Sequence, residues 1–127
     1  LAATVPSGSW PFFDGYRASP AATTDAARAY RAAILLRELR GGVHTDAVKA
    51  CGLSAATACQ FDRDLGYFQM HGFSEEDMVE HTPAIDAQKA AAEAATTAQM
   101  AALFAPLSQA QLDAIVAGTA ALESALG

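Results

Sequence analysis

The run His44-Thr45-Asp46-Ala47-Val48-Lys49-Ala50-Cys51-Gly52-Leu53-Ser54-Ala55-Ala56-Thr57-Ala58-Cys59-Gln60-Phe61-Asp62-Arg63-Asp64 decides how this chain folds. Its punctuation predicts two short helices. Thr45 caps the first, which covers Asp46 to Cys51 and stops at Gly52. Ser54 caps the second, which runs from about Ala55 to Leu65 and stops at Gly66. Val48, Gly52, Leu53, Ala58 and Phe61 fall where two helices joined by a glycine turn need core and turn residues.

Outward from this run the helical signals continue. Before it, a helix is predicted from Asp25 to Arg40, capped by Thr24 and ended by Gly41-Gly42 in a left-handed turn. Tyr30, Ala33, Ile34 and Leu36 have the spacing of its core face. After it, Ser74 with Asp77 three residues on, close to a capping box, opens a brief helix ending near His81. Thr82-Pro83 starts a long alanine-rich helix to Phe104, since proline suits the first helical position. Ser108 with Gln111 opens a last helix to about Leu126. Its stripe is Leu112, Ile115, Val116, Leu122 and Leu126.

Residues 1–22 read differently. Pro6, Pro11, Pro20, Gly8 and Gly15 argue against a regular helix there. The aromatic cluster Trp10, Phe12, Phe13 and Tyr16 needs cover, so the segment is expected to be an irregular arm. The fold class is therefore all-α: a compact bundle of five or six helices, with residues 23–127 as a single helical domain. Alanine, 32 of 127 residues, supports this, because it is the best helix former.

Composition bounds the function. Eight basic and fourteen acidic side chains leave a net charge of −6 with histidine neutral. That excess of acid speaks against a nucleic-acid coat and against an anionic membrane surface. The sequence has no apolar run of transmembrane length and no charged-then-apolar leader. Two cysteines cannot build a disulfide framework, which points to a reducing, cytoplasmic setting. Charge is also uneven. Residues 17–49 carry net +3 and residues 62–93 net −6, an asymmetry able to orient self-association or a second protein chain.

Three constellations carry candidate chemistry. Arg37 and Arg40, three apart near a helix end, meet His44 across the predicted Gly41-Gly42 turn. Two guanidiniums and an imidazole form a plausible cradle for a small anionic or aromatic ligand. Against it stands the plain reading of a helix end capped by arginines. The second helix of the central run offers Thr57, Gln60 and Arg63 to base edges, but Asp62 and Asp64 would face phosphates. DNA affinity rests on neutralising phosphates, so no nucleic-acid partner is expected. Cys51 and Cys59, eight apart, lack the close pairing of a zinc or redox site, so no metal is expected and the cofactor is unknown. Likewise, no nucleophile–base pair is readable, so no catalytic residue is assigned.

Residues 44–64 resemble a helix-turn-helix. More broadly, Ala32-Ala33-Ile34-Leu35-Leu36-Arg37-Glu38-Leu39-Arg40-Gly41-Gly42-Val43-His44, then Ala50-Cys51-Gly52-Leu53-Ser54, is similar to the C-terminal half of a poorly characterised actinobacterial all-helical family described as helix-turn-helix-like. Gly72-Phe73-Ser74-Glu75-Glu76 is similar to that family's Gly-Trp-Ser-Glu-Glu. Val43 departs from it, standing where the family has glycine. The resemblance implies two related halves, of which this chain would be one. It lends no catalytic residue. A weaker likeness to carboxymuconolactone decarboxylase and alkylhydroperoxidase-like proteins lacks their Cys-x-x-Cys-x-x-x-His.

The reading that follows is a non-enzymatic binding or interaction module, with Arg37, Arg40 and His44 as ligand-binding residues. Its alternatives are an accessory subunit of an enzyme complex and a helix-turn-helix DNA-binding regulator.

Overall fold

The computed structural model describes residues 5–126. Among them are six α-helices, one short 3-10 turn and no strand, so the chain is all-α. The helices are α1 (Pro11–Ala18), α2 (Asp25–Ala50), α3 (Ala55–Gln60), α4 (Leu65–Met70), α5 (Pro83–Phe104) and α6 (Gln109–Leu126); the 3-10 turn covers Glu75–Asp77. The chain divides into two compact units, Leu1–Val43 with Ala98–Gly127, and His44–Thr97.

Two expectations for the first unit are corrected. The segment read as irregular contains α1, because Pro11 takes the first helical position, where its missing N–H costs nothing. The guanidinium of Arg17 then ties α1 to the chain before it, through the carbonyl of Val5 at 2.6 Å and the Ser7 hydroxyl at 2.8 Å. The second correction concerns Gly41-Gly42. These glycines do not end a helix: α2 continues through them to Ala50. Gly42 serves packing instead. A Cβ there would stand 2.5 Å from Cγ and Cδ1 of Trp10, so only a glycine lets the indole lie against the helix.

The core of this unit is Val5, Trp10, Phe13, Leu39 and Val43, with Leu35, Met100 and Leu103 against it. The aromatic segment thus supplies two of its largest side chains. Tyr30, expected inside, is 64% exposed, and Leu39 and Val43 are fully buried in its stead. On α6, Val116 is exposed, so that stripe is only partly covered; the side chain of Leu126 lies outside the described residues. The Ser108–Gln111 capping box forms as read, with Gln111 N–H donating to Ser108 Oγ at 3.3 Å and Ser108 N–H to Gln111 Oε1 at 2.9 Å.

The second unit builds its core from Ala47, Val48, Leu53, Ile85 and Ala92, with Cys51, Ala58 and Phe61 packed on it. Its helices differ from the expected ones in length. α3 stops at Gln60, and α4 begins afresh at Leu65 because the Asp64 carboxylate accepts from the N–H of Tyr67 at 2.8 Å. The Ser74–Asp77 capping box is present but opens only the 3-10 turn.

Candidate functional site

The unit His44–Thr97 holds the end of α2, a glycine turn, α3 and a cleft beside them. The turn is specified residue by residue. At the end of α2, the N–H of Gly52 donates to Lys49 O at 3.0 Å and that of Leu53 to Val48 O at 3.2 Å. Gly52 sits at φ +78°. This pair of bonds around a left-handed glycine is a Schellman ending, completed by apolar contact within the cluster that holds Val48 and Leu53. Ser54 then caps α3, its hydroxyl accepting from Thr57 N–H at 3.0 Å. From α5, Gln88 Nε2 donates to Cys51 O at 3.0 Å, and Lys89 donates to Phe61 O at the end of α3. α5 therefore holds the turn before α3 and the residue that ends α3.

Three side chains offered by the sequence to base edges are placed as follows. Gln60 is committed elsewhere: its amide donates to Val79 O and accepts from Val79 N–H, both at 2.9 Å. Thr57 shares a 2.7 Å bond with the Ser54 hydroxyl. Arg63 lies exposed, with Asp62 at 3.8 Å and its guanidinium 4.9 Å over the Tyr67 ring. The unit carries three basic and nine acidic side chains; of the three cations, Lys49 and Arg63 are exposed, while Lys89 is engaged by the Phe61 carbonyl.

The cleft has a volume of about 360 Å³ and is open to solvent, within the range of small-molecule sites. His44, Lys49, Ala55, Asp62, Tyr67 and His71 are among its lining residues. Of the three residues predicted to hold a ligand, His44 lines it. Arg37 and Arg40 do not; on the uninterrupted α2, Arg40 comes about one turn and Arg37 about two turns before His44. Arg37 pairs with Glu38.

Hydrogen-bond bookkeeping fixes the imidazoles. Thr96, buried, donates its only hydroxyl proton to Ala92 O at 2.7 Å. It can therefore only accept from His44 Nδ1, 3.0 Å away. Neutral His44 thus carries its proton on Nδ1 and keeps Nε2 as an acceptor. His71 follows the same logic, since Nδ1 faces the Tyr67 carbonyl at 2.8 Å and a carbonyl only accepts. Glu93 stands 3.7 Å from His44 Nδ1, a partner for the protonated ring. Burial, then the Asp62 charge, push the Cys59 thiol above its ordinary value, which keeps it neutral and a poor nucleophile. Among the described residues no three His, Cys, Asp or Glu side chains gather as a metal set, and no helix is long and apolar enough to cross a membrane.

Sequence spacing alone does not bring Tyr67, His71 and Phe73 to His44: their clustering across Gly72 does not reveal where that segment folds back.

Comparison with known proteins gives one result. The model of a helix-turn-helix family matches residues 1–127. No curated protein matches, and no solved structure matches. The family match corrects the expectation, drawn from charge, of no nucleic-acid partner. That expectation weighed net charge, a property of the whole chain that says little about which scaffold a short segment builds.

Proposed function

The chain belongs to this helix-turn-helix family, and on that premise we propose that it is a DNA-binding regulator with residues 44–64 as its DNA-reading element. The observation that carries the reading is the Schellman turn at Gly52 joining α2 to the Ser54-capped α3, inside a chain that the family matches from end to end. In such a motif the second helix meets base edges while the first lies near the backbone. Here α3 offers small apolar contacts, Ala55 and the Thr57 methyl, which suit thymine methyl groups. Lys49 and Arg63 meet phosphates on either side.

Two such cations make a lightly charged interface. Each neutralised phosphate contributes about −0.9 to the slope of log K against log salt, so the slope is expected near −2. Selection from a randomised duplex library at low salt tests the proposal. Enrichment of a defined sequence, bound with that slope and lost in Lys49→Ala/Arg63→Ala, supports it. Failure to enrich any sequence contradicts it. The small-ligand reading attaches to the cleft.

A further inference from the structure

We propose that the cleft between the end of α2, α3 and α4 binds a neutral, planar aromatic molecule bearing a hydroxyl or ring N–H donor, with Nε2 of His44 as the acceptor. The inference deepens the small-ligand reading and does not depend on DNA binding. Its first support is shape and surface: about 360 Å³, lined by Val48, Ala55, Ala58, Tyr67 and Phe73, fits a flat ring system and offers apolar and aromatic contact to its faces.

The second support is the tautomer of His44. With Nδ1 tied to buried Thr96, Nε2 is the ring nitrogen left to meet a ligand, and it accepts rather than donates. The Thr96 bond also fixes ring orientation before any ligand arrives, and a preformed acceptor costs less ordering on binding. His71, whose Nδ1 is likewise tied to the Tyr67 carbonyl, supplies a second acceptor for a molecule with two donors. The third support is charge. Asp62 and Lys49 both line the cleft, and the unit around it carries net −6. That field disfavours aromatic acids.

The test uses 2-naphthol, its methyl ether 2-methoxynaphthalene, and 2-naphthoate, each titrated into the whole chain without DNA and followed by fluorescence. The structure predicts saturable binding of 2-naphthol. The ether, which has no proton to donate, should bind about tenfold more weakly, and the naphthoate should not saturate. In His44→Phe, which keeps a ring but no acceptor, the preference of naphthol over ether should fall to about one. Ala55→Phe, with helicity unchanged, should lose both ligands by filling the cleft. Equal binding of naphthol and ether to the unsubstituted chain would overturn the proposal, as would retention of naphthol by folded Ala55→Phe. Because no duplex is present, these outcomes are independent of whether the chain binds DNA.

Discussion

Gly42 and Thr96 show how single atoms set this structure. At Gly42 a methyl group would overlap the indole of Trp10 at 2.5 Å. Alanine normally favours a helix over glycine by roughly 1 kcal/mol, but here overpacking costs about 1–3 kcal/mol. Gly42→Ala should therefore lower stability in urea denaturation followed by Trp10 fluorescence; an unchanged or raised midpoint would refute the close approach. At Thr96 the hydroxyl proton is spent on Ala92, which forces the His44 tautomer. Nitrogen NMR above the histidine titration should find His44 protonated on Nδ1, the minor form in free histidine, and Thr96→Val should release it to the ordinary mixture. Cys59 gives a pH-dependent test. Its thiol lies above the ordinary value through burial and then Asp62. The folded state therefore favours the protonated form, and that support is lost as pH rises through the folded value. At pH 8, iodoacetamide should label Cys59 more slowly in the native chain than in urea, and Asp62→Asn should speed the native reaction.

At the scale of elements, sequence chemistry was legible wherever a local bond decides the boundary. Ser54, Pro83 and the Ser108–Gln111 pair mark helix starts that the structure reproduces, because a cap is satisfied within three residues. The turn residues Val48, Gly52 and Leu53 were legible for the same reason. The Gly41-Gly42 pair misled, since its role is set by Trp10, which lies 32 positions earlier in the chain. α1 was hidden by its prolines and glycines, and α4 by a cap, Asp64, that reads as a loop acid. The candidate site was only partly legible. His44 is in the cleft, whereas Arg37 and Arg40 were joined to it by a turn that α2 does not make. The glycine turn between α2 and α3 should be sensitive to one substitution. Gly52→Ala forces a Cβ into the left-handed region at φ +78° and should cost about 1–2 kcal/mol, read as a lower urea midpoint. A null effect would mean that the turn relaxes to another form.

At the scale of the whole molecule, the chain places its entire net charge on one unit. His44–Thr97 carries −6, and the unit made of the two ends carries five basic and five acidic side chains. If this acidic unit binds DNA as proposed, it is a weak electrostatic binder, and recognition rests on a few contacts around Lys49, α3 and Arg63. The most direct measurement is amide NMR of the labelled chain titrated with the duplex enriched by selection. The largest saturable shifts are predicted between residues 49 and 63. Saturable shifts confined to other residues, or none at all, would contradict the assignment of this turn and helix to DNA.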